Sequence, residues 1–172
     1  LRLLNIIILQ HIKIEDPGYI KDLMLADGLN LTTIELDEGE KIPNDLSKFD
    51  GMFCMGGPMD TYMEKEYPWL VEEKKRIKEF VVDFKKPYLG FCLGCQLLGE
   101  VVGGKVVRSN PAEIGIMNIN FTGNKKEDNL FSKFPDNIKS LQWHSYEVQG
   151  IDNNSDITLL ASSPVTKYQI FK

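Results

Sequence analysis

The sequence has no long apolar run and no stripe of basic residues. No apolar stretch among its 172 residues approaches the roughly 20 residues that a helix needs to cross a bilayer. Its 20 Lys and Arg against 25 Asp and Glu give a formal net charge of −5, and its basic residues are interleaved with Glu. These features argue against a membrane protein and against a nucleic-acid partner.

Cysteine and histidine are also scarce. Three cysteines, Cys54, Cys92 and Cys95, are an odd number in a chain too large to need disulfides, so we expect a reducing, cytoplasmic setting. These cysteines lack a fourth ligand at a matching spacing, which argues against zinc, and we predict no metal site. The two histidines are His11 and His144. His11 follows the first apolar run, and we expect it to be a partly exposed residue at the end of a loop.

The length and the 42% apolar content predict one globular domain over residues 1–172. Because the chain does not begin with Met, we expect a trimmed or engineered N-terminus. The opening apolar run, residues 3–9, is interrupted by Asn5 and has no small-residue cleavage site after it. It therefore predicts a buried strand rather than a signal peptide.

Strand and helix patterns alternate through the first two thirds of the chain. Predicted strands at residues 3–9, 31–36, 51–55 and 88–91 are separated by predicted helices, of which the clearest spans residues 69–84. In that helix Leu70, Ile77 and Phe80 form the apolar face, and we place Glu73 with the other charged residues on the opposite face.

The pattern changes after residue 104, where five strand-like segments follow one another without helices. We interpret them as an antiparallel extension of the same sheet. The whole pattern predicts an α/β fold with three layers, in which a flavodoxin-like, mostly parallel central sheet carries that extension. In such sheets the reactive groups lie at the carboxyl ends of the strands.

The segment Gly90-x-Cys92-x-Gly94 has the spacing of a nucleophile elbow with Cys in place of Ser. The small neighbours allow a tight turn from strand to helix, and the helix N-terminus favours a thiolate. The backbone N–H of Leu93 would face a tetrahedral oxyanion. Two alternatives stay open from the motif alone: a buried cysteine whose glycines serve only packing, and a redox pair formed by Cys92 and Cys95.

A longer stretch around this motif carries a family resemblance. Residues 87–98, Pro-Tyr-Leu-Gly-Phe-Cys-Leu-Gly-Cys-Gln-Leu-Leu, resemble the nucleophile segment of class I glutamine amidotransferase domains, particularly stand-alone members similar to the amidotransferase half of GMP synthase. The likeness continues in residues 53–58, 103–106, 113–115 and 143–145, in the family's order. It therefore covers nearly the whole chain.

The resemblance implies a reaction and a set of site residues. Cys92 would attack the side-chain amide of glutamine, form a γ-glutamyl thioester and release ammonia, without a cofactor. Gly57 would donate the second oxyanion hydrogen bond beside Leu93, and Gln96 would help hold the glutamine. A glycine allows a ligand to approach the backbone closely, and an amide one turn after the nucleophile faces the same pocket.

A cysteine nucleophile also needs a base, usually a histidine oriented by a carboxylate. His144 with the nearby Glu147 could suggest such a pair. The resemblance instead places His144, Ser145 and Tyr146 in a loop that contacts the substrate. It also implies that the catalytic His and Glu follow Lys172, so we expect this sequence to lack its C-terminal segment. A base role for His144 and a protein without catalysis stay open.

Three functions are therefore considered. The first is a glutamine amidotransferase-like hydrolase, which would pass ammonia to a separate synthetase subunit or act as a plain hydrolase. The second is a γ-glutamyl peptidase that uses the same thioester chemistry. The third is a non-catalytic regulatory subunit.

Overall fold

Four parallel strands form the first sheet in the computed structural model, which describes residues 2–172. The strands are β1 Asn5–Gln10, β2 Asn30–Glu35, β3 Gly51–Cys54 and β4 Tyr88–Gly90. Their order is β2-β1-β3-β4, and every neighbouring pair is parallel. This order is that of a flavodoxin-like sheet as far as its fourth strand.

Helices cover both faces of this sheet. They are α1 Tyr19–Ala26, α2 Trp69–Lys78, which continues as a π-helical turn over Glu79–Asp83, and α3 Leu93–Val101. Alternate side chains of β1 point to opposite faces. Ile7 packs in the cluster that contains the apolar residues of α2 and α3, whereas Ile8 packs with Met24 of α1. The predicted three-layer α/β class is therefore confirmed.

The strands after residue 104 form a second sheet. They are β5 Lys105–Phe121, β6 Asn137–Gln149, β7 Leu159–Ser162 and β8 Ile170–Phe171. They are antiparallel, in the order β6-β5-β7-β8. The two predicted strands 105–107 and 114–121 are joined in β5, with a register shift between Arg108 and Glu113.

The antiparallel strands bond to one another and do not add to the parallel sheet, which differs from the extension that we expected. Because β5 pairs with β6 along one edge and with β7 along the other, its backbone groups are satisfied within its own sheet. The chain accordingly divides into two compact units, one ending at Val102 and the other beginning at Gly103. Whether they act as the single predicted domain stays a prediction. Within residues 2–172 no helix has the length and apolar character needed to cross a membrane.

Candidate active site

The carboxyl ends of β1, β3 and β4 lie next to one another because the three strands are parallel neighbours. His11 and Glu15 follow β1, Gly56 and Gly57 follow β3, and Cys92 follows β4. These positions form the edge at which open α/β sheets bind their ligands. The edge was predicted from the sequence, whereas the roles of His11 and Glu15 were not.

Cys92 has the backbone of a nucleophile elbow. Its φ of 49° and ψ of −105° lie in a region that side chains other than glycine rarely adopt. A Cβ on Gly90 would lie 2.6 Å from the carbonyl carbon of Gly94, and a Cβ on Gly94 would collide with the carbonyl oxygen of Cys54. Both glycines are therefore required for β4 and α3 to meet at this turn, which agrees with the sequence prediction.

Two further backbone groups approach the nucleophile. The N–H of Leu93 donates a hydrogen bond to the Cys92 sulfur, and Leu93 is the first residue of α3. A Cβ on Gly56 would lie 3.5 Å from the Cys92 Cβ, and a Cβ on Gly57 would lie 3.4 Å from Cδ2 of Leu93. The structure thus brings Gly57, Cys92 and Leu93 together as the sequence predicted. Gln96, one turn into α3, is buried, and its N–H donates to the carbonyl of Cys92.

A pocket of about 320 Å³ opens onto this turn, a volume at the lower end of the range typical of small-molecule sites. Its wall consists of Glu15, Asp16, Pro17, Ile20, Met55, Gly56, Phe91 and Cys92. The Cys92 residue is exposed, so a substrate can reach its sulfur from the pocket. The carboxylate of Glu15 is the nearest charge that acts on it.

The electrostatic setting of Cys92 differs from the expected one. Loss of water around the sulfur and the negative charge of Glu15 raise the pKa of the Cys92 thiol, and Asp60 adds to this effect. The hydrogen bond from the Leu93 N–H lowers the pKa but does not offset the other causes. The expectation that the helix N-terminus favours a thiolate is therefore wrong for this arrangement. The thiol needs a base before it can attack.

The other two cysteines lie in environments that disfavour thiolate chemistry. Burial, followed by the nearby Cys92, raises the pKa of Cys95 to about 12. Burial raises the pKa of Cys54 well above its ordinary value, and its thiol donates to Glu73 at 3.4 Å. All three cysteines are free. A redox pair needs a thiolate of lowered pKa, so the structure does not favour the Cys92–Cys95 alternative.

Sequence reasoning missed a buried pair behind the nucleophile. His11 and Glu73 are both inaccessible to solvent, and His11 Nε2 lies 2.7 Å from Glu73 Oε1. The expectations of a partly exposed His11 and of Glu73 on the charged face of α2 are therefore wrong. The signal for Glu73 was present in the sequence, because it lies three residues after Leu70 and four before Ile77, on the apolar stripe.

His11, Cys54 and Glu73 form the one set of three possible metal-ligating side chains found within residues 2–172. Their ligand atoms lie within 4.8 Å of one another. The imidazole and the carboxylate are already in direct contact, and the Cys54 thiol stays protonated. A metal would need these groups as free donors and a thiolate, so the cluster fits a hydrogen-bonded network better than a metal centre.

In the second unit, His144, Ser145 and Tyr146 lie on β6. His144 Nε2 is 3.1 Å from Glu113 Oε2, and its Nδ1 is 2.9 Å from the carbonyl oxygen of Tyr146. Glu147 instead accepts a hydrogen bond from Gln149 at 2.8 Å. The partner of His144 is therefore Glu113 across the β5–β6 ladder rather than the neighbouring Glu147.

Both histidines have their two ring nitrogens engaged. Oxygen acceptors face each nitrogen of His11, from Gly56 and Glu73. The same is true of His144, whose acceptors belong to Tyr146 and Glu113. Neither ring has a nitrogen lone pair available to take the proton of a thiol.

The fold and the turn at Cys92 define an α/β protein with a cysteine nucleophile elbow at the carboxyl edge of a parallel sheet. The profile of the family "Glutamine amidotransferase class-I" matches residues 19–169, and the chain belongs to this family.

Known proteins similar to this chain include two named enzymes and a solved structure. The glutamine-hydrolysing subunit of GMP synthase from Picrophilus torridus is 30% identical over 152 residues, which are 88% of this chain and 71% of that protein. "Gamma-glutamyl peptidase 3" of Arabidopsis thaliana is 31% identical over 132 residues, 74% of this chain and 51% of that protein. The crystal structure of a glutamine amidotransferase from Thermotoga maritima superposes with a TM-score of 0.89 at 26% identity, covering 100% of this chain and 72% of that one.

Proposed function

We propose that this chain hydrolyses the side-chain amide of glutamine through a γ-glutamyl thioester. The observation that carries the proposal is the backbone of Cys92, which has a positive φ at the junction of β4 and α3 and places its sulfur beside the Leu93 N–H. Family membership supports it, since the similar enzymes are named for action on glutamine or on γ-glutamyl compounds.

The residues present have separate roles in this reaction. The Cys92 sulfur attacks the γ-carbonyl carbon, and the carbonyl oxygen becomes an oxyanion that accepts hydrogen bonds from the Leu93 and Gly57 N–H groups. The C–N bond then breaks, and ammonia leaves with a proton. Water cleaves the thioester, which releases glutamate and restores the thiol. Gln96, His144, Ser145 and Tyr146 are the proposed contacts to the substrate.

The base for this chemistry has to come from a group other than His11 or His144, because acceptors occupy both ring nitrogens of each. We place the catalytic His and its Glu outside these 172 residues, as the family resemblance implies. The raised pKa of Cys92 makes that base necessary rather than optional.

The ammonia has two possible fates. The similarity to the glutamine-hydrolysing subunit of GMP synthase supports transfer to a separate synthetase subunit. The similarity to a γ-glutamyl peptidase supports the second candidate, in which the same thioester forms from a γ-glutamyl peptide. The pocket beside Cys92 is open enough to accept either leaving group. A cytoplasmic location stays a prediction from cysteine usage.

One experiment tests the proposal and separates the candidates. The full-length protein is incubated with glutamine and, separately, with glutathione, and the release of ammonia and of free glutamate is followed. We expect Cys92→Ala to reduce turnover by several orders of magnitude, and Cys95→Ser, the matched control, to leave most of it. Faster turnover of glutathione than of glutamine would favour the peptidase. Turnover that survives Cys92→Ala, or no turnover of either compound, would contradict the proposal.

A further inference from the structure

The carbonyl of Gly56 and the N–H of Gly57 belong to one peptide group. This peptide is trans, so its C=O and N–H point in opposite directions within one plane. His11 Nδ1 lies 3.0 Å from the Gly56 carbonyl oxygen, in a buried contact. Any group that fixes the direction of this carbonyl also fixes the direction of the Gly57 N–H.

The Gly57 N–H therefore points away from the His11 ring. The peptide lies between His11 and the elbow, since a Cβ on Gly57 would lie 2.9 Å from the His11 Cβ and 3.4 Å from a methyl carbon of Leu93. Within residues 2–172 no protein acceptor receives the Gly57 N–H. This N–H is available to a substrate oxygen at Cys92.

His11 is itself held rigidly. Its ring stacks on Trp69 at a centroid distance of 5.4 Å, and its Nε2 contacts Glu73 Oε1 at 2.7 Å. The second carboxylate oxygen of Glu73 is buried and has no hydrogen-bond partner, so His11 is the main compensation for the charge of Glu73. Because oxygen atoms face both ring nitrogens, both contacts are hydrogen bonds only when the pair holds one shared proton.

We propose that His11 and Glu73 are positioning residues that clamp the Gly56 carbonyl and thereby direct the Gly57 N–H at the oxyanion formed on Cys92. The inference rests on the proposed function, because it gives a role to the second oxyanion donor. Neither residue touches the substrate. Both act through the peptide between Gly56 and Gly57.

The clamp depends on protonation, and few other groups influence it. The titratable side chains that face His11 are Glu73 on α2 and Cys54 on β3, with Tyr88 of β4 beyond Cys54. The pKa of both Cys54 and Tyr88 is raised well above its ordinary value by burial, so these two stay neutral across the physiological range. Loss of the shared proton leaves one N–H for two acceptors and releases one of the two contacts.

Two substitutions of His11 separate this role from a purely structural one. In His11→Asn the amide nitrogen occupies the position of Nδ1, so it still donates to Gly56 but loses Glu73. In His11→Gln the longer amide reaches Glu73 and loses Gly56. The double variant His11→Asn with Glu73→Gln removes the unpaired buried charge in case the single variant folds poorly.

The experiment measures steady-state kinetics, melting temperature and the amide resonance of Gly57 in the full-length protein. We expect kcat to fall by about 30-fold or more in His11→Gln, within the range seen on loss of an oxyanion donor, with KM within about threefold. His11→Asn, or the double variant, should stay within about fivefold of the wild-type kcat although it melts lower, because the Gly56 contact is kept. The alkylation rate of Cys92 should be the same in all variants.

The results distinguish failure of the clamp from failure of the proposed function. If kcat follows melting temperature, so that the Asn variants are the slower ones, the positioning role is overturned. The same holds if the Gly57 amide resonance does not move in His11→Gln. A wild-type protein that hydrolyses neither glutamine nor glutathione, but whose Gly57 amide responds to Gln and not to Asn, would retain the clamp and remove the proposed reaction.

Discussion

The carboxylate of Glu113 lies 3.1 Å from Nε2 of His144, in the pair of residues that face each other across the β5–β6 ladder. Glu113 is almost fully buried, and Gln169 also donates a hydrogen bond to it at 2.5 Å. The other ring nitrogen of His144 faces a backbone carbonyl. The ring is therefore fixed in orientation and has no free nitrogen for proton transfer from a thiol.

This arrangement predicts that His144 contributes to substrate binding rather than to proton transfer. We expect His144→Gln to raise KM by about fivefold or more while kcat stays within about tenfold, because a contact used equally by substrate and transition state changes KM alone. Steady-state kinetics on the full-length protein measures both constants. Glu147→Gln is the matched control on the same strand and should change neither. A loss of kcat by several orders of magnitude in His144→Gln would instead identify it as the base.

The negative charge of Glu15 makes Cys92 less reactive than its backbone setting suggests. Because Glu15 is the second largest cause of the raised pKa of this thiol, Glu15→Gln should lower that pKa. We expect the rate of alkylation by iodoacetamide near pH 8 to rise by about two- to fivefold, as is reasonable for a partly solvated charge.

The pocket offers a matched control for this prediction. Asp16 lines the same pocket, but its charge is not among those that shift the Cys92 thiol, so Asp16→Asn should leave the alkylation rate unchanged. Equal acceleration by both substitutions would show that the effect comes from the total charge of the loop. A slower reaction in Glu15→Gln would reverse the sign and contradict the electrostatic account.

The features that sequence reasoning found are those encoded in a few consecutive residues. The elbow at Cys92 follows from the spacing of Gly90 and Gly94, because sterics at one turn depend on its immediate neighbours. The contact of His11 with Glu73 joins residues 62 positions apart, and no local pattern specifies it. Such a pair depends on how α2 packs on the sheet.

The second unit illustrates the same limit. Its strands were recognised from their composition, yet the partner of His144 depends on the register of β6 against β5, which shifts between Arg108 and Glu113. A shift of one residue exchanges the two faces of a strand. The nearby Glu147 was therefore the obvious candidate partner in sequence, and Glu113 became evident only from the ladder.

Gly94 is predicted to be the least replaceable glycine of α3. Within a helix, Gly→Ala usually adds about 1 kcal/mol of stability. Here the new Cβ would collide with the backbone carbonyl of Cys54 on β3, which cannot move aside as a flexible side chain can. We expect Gly94→Ala to cost about 1–3 kcal/mol or more, and the melting temperature to fall by about 2–4 °C for each kcal/mol.

Gly123→Ala is the control for this substitution. Its Cβ would meet no atom within 4 Å, and Gly123 does not have a positive φ. Thermal unfolding of the two variants beside the wild type should show a large loss for Gly94→Ala and almost none for Gly123→Ala. A Gly94→Ala protein as stable as the wild type would show that β3 and α3 are not in the close contact described.

The buried pair of His11 and Glu73 gives the stability of the protein a defined dependence on pH. Burial alone would lower the pKa of His11, but the hydrogen bond and charge of Glu73, with the carbonyls of Gly56 and Met55, raise it above the ordinary value of 6.5. A group whose pKa rises on folding binds its proton more tightly in the folded state. Its contribution is therefore complete below about pH 6.5 and is lost as the pH rises through the folded pKa.

The double variant His11→Gln with Glu73→Gln has no titratable group at either position and serves as the reference. We expect the difference in melting temperature between the wild type and this variant to be largest near pH 6 and to shrink towards pH 9. Thermal unfolding at half-unit steps of pH measures it. A difference that stays constant, or that grows with pH, would mean that His11 does not hold the shared proton in the folded protein. The Gly56 carbonyl would then need another anchor.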